Sequence, residues 1–222
     1  MFDLFGTLVN APTPAERTQA ASRLSEAIDC PSRAVEGYLR STWHVRHDGT
    51  LPTVSELAEH LLRAVGGRAR AHGRVENELR ALGRTRLEPD ATVVRTLNRL
   101  RGNGLRLGVV SDATAEIADT WRVSPLSAAI DVVLFSCTAG HTKPDQRLYS
   151  RICGKLGVLA PHTWYVGDGG GDELNGALAA GMTAIAVRRR GSPDGLAFGV
   201  APWSGPAIDG VEQLPARLVG NR

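Results

Sequence analysis

A chain of 222 residues, 42% hydrophobic and 22% charged, is long enough to bury a full core, as one large domain or as a core with a small satellite. Its net charge of +3, with an isoelectric point near 9.0, is too mild to point to nucleic acid. Cys30, Cys137 and Cys153 are an odd, scattered set without metal-ligand spacing, no stretch is apolar enough to span a membrane, and no signal-peptide pattern opens the chain. A disulfide framework, a zinc site and a membrane protein are therefore not expected, and a reduced, cytoplasmic setting is.

Taken in order, Met1-Phe2 is a short apolar stub ending at Asp3, and the chain turns polar at Asn10–Pro14. Residues 13–82 read as a helical block. Leu24, Ala27 and Ile28 recur at helical spacing, as do Leu57, Leu61, Leu62 and Val65, and Pro31, Pro52 and Gly66-Gly67 punctuate them. From about residue 83 the pattern changes. A helix is predicted over 89–100 and closed by Gly102-Asn103-Gly104, followed by a strand over 105–110 and a helix over 113–120. A strand over 130–135, a helix over 144–156, a strand over 163–166, a helix over 173–180 and a strand over 183–187 complete the alternation. Beyond Arg188 the chain is rich in Gly and Pro, with a last helical turn expected at 211–215 and the run Arg188-Arg189-Arg190 read as a solvated strand exit.

Strands alternating with helices predict an α/β fold, a parallel sheet covered on both faces. Right-handed crossovers put every strand's C-terminal end on one edge, where such sheets bind ligands. Four polar clusters fall at that edge: Asp3; Ser111-Asp112; Lys143 in Gly140-His141-Thr142-Lys143-Pro144-Asp145; and Gly167-Asp168-Gly169-Gly170-Gly171-Asp172-Glu173. A carboxylate such as Asp3 can attack phosphorus or carbon to form an ester that water later splits. Further carboxylates beside it suit Mg²⁺, a lysine stabilises negative charge, and a hydroxyl with helix-start N–H groups holds phosphate oxygens.

In this order the clusters resemble the four motifs of the haloacid dehalogenase-like hydrolases, across nearly the whole chain. The resemblance implies a Rossmann-like core (1–12 and 83–222) with a small helical cap (13–82) inserted after the first motif. It implies Asp3 as nucleophile, Ser111 as the phosphate-binding hydroxyl, and Lys143 as the charge-stabilising lysine. Mg²⁺ would be held by Asp3, the Phe5 carbonyl, Asp168 and Asp172, with Glu173 at a position that is often acidic. Asp112 would line the substrate site, and Trp43 and Arg46 of the cap either touch substrate or, for Trp43, fill the cap core. The partner implied is a small phosphorylated metabolite, with no nucleic acid and no membrane.

Three departures shape the expectation. Phe5 stands where phosphatases of the family usually carry an acid that protonates the leaving group. Asp112 stands where Asn is common. The first strand is truncated to a stub, so a version extended at the N-terminus is expected to be more stable and more active. A Mg²⁺-dependent phosphatase working through an aspartyl-phosphate is the leading reading. A 2-haloacid dehalogenase-like enzyme, with Arg40 or Arg46 holding the substrate, and a catalytically weak protein with a binding role are the alternatives.

Overall fold

The structure, a computed structural model, describes residues 1–188 and 202–219. The helical block comprises α1 (Pro14–Ile28), α2 (Ser32–Ser41), α3 (Trp43–His47), α4 (Val54–Val65) and α5 (His72–Arg86), the last joined to α4 through a 3₁₀ turn at Ala69–Ala71. The α/β part runs α6 (Ala91–Gly102), β1 (Gly108–Ser111), α7 (Ala115–Thr120), β2 (Val132–Phe135), α8 (Ser136–Ala139), α9 (Gln146–Leu156), β3 (Trp164–Gly167), α10 (Glu173–Ala179), β4 (Thr183–Val187), β5 (Ala207–Ile208) and α11 (Leu214–Val219).

Local chemistry sets the helix ends. Thr13 and Thr53 each accept a hydrogen bond from the backbone N–H three residues on, at Glu16 and Glu56, while those glutamates reach back to the threonine N–H. These reciprocal boxes start α1 and α4. Helix α4 stops at Gly66, which is left-handed at φ 68°.

The sheet is parallel throughout. Strand β1 pairs with β2, and β3 with β4, which pairs with β5. The Met1–Asp3 stub joins the halves: Phe2 bridges Val109 on one side and Val166 on the other. Its bonds are Phe2 N–H to Gly108 O at 2.8 Å, Val110 N–H to Phe2 O at 2.9 Å, and Asp3 N–H to Val166 O at 2.9 Å. The spatial order is therefore β2-β1-stub-β3-β4-β5. Short as it is, the first strand is hydrogen-bonded to both neighbours.

Alternate strand residues serve opposite faces, as the two-residue period requires. Phe2, Val109, Phe135, Val166, Ile185 and Val187 pack with α6, α7 and α11. Met1, Val110, Leu134, Tyr165, Ala184 and Ala186 pack with α9 and α10. The helical block has its own buried cluster, drawn from α1, α2, α4 and α5 and closed by Ala115 of α7.

Several predicted boundaries shift. Helix α5 runs through the expected edge at residue 82 to Arg86. The strand expected over 105–110 pairs only at Gly108–Ser111. The helix expected from 144 starts at Gln146, because Asp145 accepts from the Arg147 N–H and so caps it. Strand β5, two residues long, was not foreseen. Arg189 and Arg190 of the arginine run, and the Gly/Pro-rich stretch to residue 201, lie outside the described residues.

Candidate active site

Asp3 leaves the stub at the C-terminal edge and is 4% exposed. The chain then turns tightly, with the Leu8 and Val9 N–H groups donating to Leu4 O at 2.8 and 3.0 Å and the Gly6 N–H to Val9 O at 2.8 Å. Gly6 has φ 78°, and a Cβ there would lie 1.9 Å from Asp168 Oδ2. Only glycine allows the first loop to press against that carboxylate.

Lys143 ties the clusters together. Its buried Nζ donates to Asp3 Oδ1 at 2.6 Å and to Glu173 Oε2. Glu173, wholly buried, also accepts from Tyr165 Oη at 2.9 Å and from the Gly169 N–H at 3.0 Å. Tyr149 Oη donates to the Glu173 carbonyl at 2.9 Å. A Cβ at Gly167 would meet Glu173 Oε1 at 2.0 Å, so that glycine makes room for the glutamate. Asp168 Oδ1 accepts from the Gly170 N–H at 3.0 Å. Oxygens of Asp3, Asp168 and Glu173 all lie within 4.8 Å of one another.

Ser111 ends β1 at 1% exposure, and its Oγ has no hydrogen-bond partner among the described residues. The loop after it is pinned to α8, where Ser136 Oγ accepts from the Ala113 N–H at 3.0 Å. Asp112 turns away and accepts from the Lys143 N–H at 2.9 Å. This bond ties the end of β1 to the Lys143 loop.

Electrostatics follow from this crowding. Burial, then the Glu173 charge, raises the Asp3 carboxyl to about 7, with Lys143 opposing. Burial, then Asp3, raises Asp168 to about 6. Burial also raises Glu173 and Asp112. Burial disfavours the Lys143 ammonium, but Asp3, Glu173 and Asp112 outweigh it and hold the pKa well above the usual lysine value. Three carboxylates against one ammonium leave a deficit of positive charge at an all-oxygen donor set. A small divalent cation such as Mg²⁺ fits that deficit.

Of the residues expected at the site, Asp3, Ser111, Asp112, Lys143 and Asp168 converge. Asp172 does not join the acidic cluster. It is left-handed at φ 57° and exposed at the start of α10, where its Oδ1 accepts from Asn175 Nδ2 at 2.6 Å. The next residue, Glu173, lies in the cluster instead, its side chain turned back over β3 to Tyr165. Phe5 packs its ring against the main core cluster. Trp43 stacks on His47 with ring centroids 4.4 Å apart. The Arg46 guanidinium is held within the helical block, donating to Leu39 O at 2.7 Å and Thr42 Oγ1 at 3.2 Å. Tyr165 and Tyr149 were not foreseen; strand alternation in β3 and the apolar face of α9 give only their burial, and their hydroxyl partners come from α10.

The chain was compared with known proteins. It matches the haloacid dehalogenase-like hydrolases over residues 1–181. It is 34% identical over 105 residues to Phosphatase MT3486 of Mycobacterium tuberculosis (strain CDC 1551 / Oshkosh), covering 46% of this chain and 47% of that one. It is 30% identical over 106 residues to the glyceraldehyde 3-phosphate phosphatase of Methanopyrus kandleri, covering 46% and 45%. These matches span just under half the length of either relative. Among solved structures, the 2-haloacid dehalogenase of Pseudomonas syringae pv. Tomato DC3000 superposes with a TM-score of 0.72 at 22% identity, over 100% of this chain and 97% of that one. With residues 1–181 matched and the motif residues gathered at one sheet edge, the chain belongs to the haloacid dehalogenase-like hydrolase family.

Proposed function

We propose that the protein is a Mg²⁺-dependent phosphatase for a small phosphorylated metabolite, with Asp3 as nucleophile. The observation that carries this reading is the buried Asp3–Lys143–Glu173 chain beside Asp168, together with a buried Ser111 hydroxyl at the same sheet edge that has no hydrogen-bond partner among the described residues. A buried hydroxyl left unpaired costs about 1–3 kcal/mol, which a phosphate oxygen would recover.

Asp3 attacks phosphorus, the bond to the leaving oxygen breaks, and an aspartyl-phosphate forms that water then hydrolyses. Lys143 favours the ionised form of Asp3, orients it and offsets charge on the transferring group, while Ser111 donates to a phosphate oxygen. Glu173, its oxygens engaged by Lys143, Tyr165 and the Gly169 N–H, acts as an anchor for the lysine. Mg²⁺ would be held by Asp3, Asp168 and the Phe5 carbonyl, and when bound it would neutralise charge on the phosphoryl group. Asp112 serves the substrate site through the Lys143 backbone. The helical block over 13–86 is assigned as a cap, with Trp43 stacked on His47 and Arg46 bonded to Leu39 and Thr42 in its α2–α3 segment. Three free thiols fit a reducing, cytoplasmic compartment, and no described helix is long and apolar enough to cross a membrane.

Phe5 favours a second reading. It offers no proton to a leaving group, as C–halogen hydrolysis at Asp3 would not require. Phosphate and halide release from a substrate panel, with Mg²⁺ and with chelator, separates the two. Mg²⁺-dependent phosphate release, strongest for esters with good leaving groups, is expected. Halide release that persists in chelator would overturn the phosphatase assignment.

A further inference from the structure

The end of the helical block formed by the α4–α5 connection carries a cavity of about 260 Å³ that belongs to no part of the site above. The sequence builds it. Gly66 turns α4 out in the left-handed conformation, and Gly67 brings the connector against the end of α1: a Cβ there would lie 2.6 Å from Leu62 Cδ2 and 2.8 Å from Ile28 Cγ2. The chain then places arginines at alternate positions, Arg68 and Arg70, and a third, Arg74, one turn into the start of α5. All three line the cavity.

These arginines differ from others in the block. Arg23 pairs with Glu78, Arg63 with Glu59, and Arg80 with Glu76 and Asp119. The guanidinium groups of Arg68, Arg70 and Arg74 make no ion pair or hydrogen bond among the described residues, and Asp29 is the one carboxylate-bearing residue in the cavity wall. Arg70 and Arg74 stand four residues apart, a spacing at which like charges repel. Ala71, at the α5 N-cap, supplies no side chain to cap the helix. Three uncompensated guanidinium groups against one carboxylate, around a concave space too small for a large ligand, match a compact dianion that takes bidentate hydrogen bonds.

We propose that this cavity is a second, non-catalytic binding site for a small phosphate-bearing anion. Its occupant sits on Arg68, Arg70 and Arg74, while the phosphate handled by Ser111 and Lys143 sits at the sheet edge. The two sites use separate residues and respond to separate substitutions.

Calorimetric titration in chelator-containing buffer tests this, with inorganic phosphate and glycerol 3-phosphate as probes, on wild type, Ser111→Ala and the triple variant Arg68→Gln/Arg70→Gln/Arg74→Gln. The three arginines are exposed, so an unchanged melting temperature is expected to show that the triple variant folds. Wild type and Ser111→Ala should bind at least one probe alike, more weakly as salt rises. The triple variant should bind that probe at least about tenfold more weakly. Tighter binding of inorganic phosphate would identify the free anion as occupant, and tighter binding of the ester an organic phosphate. No binding by wild type, equal binding by the triple variant, or loss of all binding in Ser111→Ala would each overturn the proposal.

Discussion

Phe5 is the side chain on which the chemistry of this site turns. Its partly buried ring packs against the core cluster, so the position two after Asp3 contributes packing and supplies no proton. A general acid contributes about 10²–10⁴-fold in rate. Phe5→Asp should therefore speed hydrolysis of alkyl phosphates about 10²-fold while changing activated esters little, as steady-state kinetics on the two classes would show. Asp3→Asn should abolish turnover of both. Asp3, raised to about 7 by burial and the Glu173 charge, and Asp168, raised to about 6 by burial and the Asp3 charge, set a pH dependence whose sign is fixed. A cation needs both ionised, and below these values protons compete with it. Mg²⁺ affinity measured by titration should rise from pH 5.5 to pH 8 and then level off; an affinity flat across that range would contradict the assignment of Asp3 and Asp168 as ligands.

Helix α5 is the element that fixes the helical block to the core. Gly83 faces α7 so closely that a Cβ would lie 2.6 Å from both Glu116 O and Thr120 Oγ1, and Arg80 pairs with Asp119 at 3.1 Å. Glycine inside a helix ordinarily costs about 0.5–1 kcal/mol relative to alanine, and Gly37→Ala, in open space in α2, should recover that amount. Gly83→Ala should do the reverse and destabilise by about 1–3 kcal/mol through overpacking. Chemical denaturation of the pair would expose the opposite signs. Helix α3 makes a second prediction. Burial depresses the His47 imidazole from 6.5 to about 3, so it is neutral when folded and protonated when unfolded between those values. Its contribution to stability is full above pH 6.5 and is lost as pH falls towards 3. Between pH 7.5 and 5, His47→Gln should lose less melting temperature than wild type does.

At the scale of the whole molecule, two half-sheets meet on three residues. Phe2 bridges Val109 and Val166 through its backbone and lies 2% exposed. Phe2→Ala should cost about 3–5 kcal/mol, a large share of the stability of a domain, measurable by denaturant titration. Losing this residue should also loosen Asp3, its neighbour, so activity should fall along with stability.

Much of this architecture was legible because it is written in local pattern. The alternation of short β-branched runs with amphipathic stretches gave the parallel sheet, and the four polar clusters at its C-terminal edge gave Asp3, Ser111, Lys143 and Asp168. Boundaries were less legible, since Leu105 and Leu107 continue the apolar run into β1 and only a neighbouring strand decides which residues pair. Two carboxylates stand side by side at 172 and 173, and no pattern says which one faces Asp3. A left-handed turn at Asp172 and a glycine at 167 that clears space for Glu173 settle that in three dimensions. So it is with Asp112, whose partner is a backbone N–H 31 positions away. Composition and order along the chain determined the family, the sheet and the set of reactive groups, because these depend on periodicity and on residue type. Which of those groups touch, and so which are charged, was left to tertiary structure, because burial and the proximity of charges distant in sequence exist only once the chain has folded.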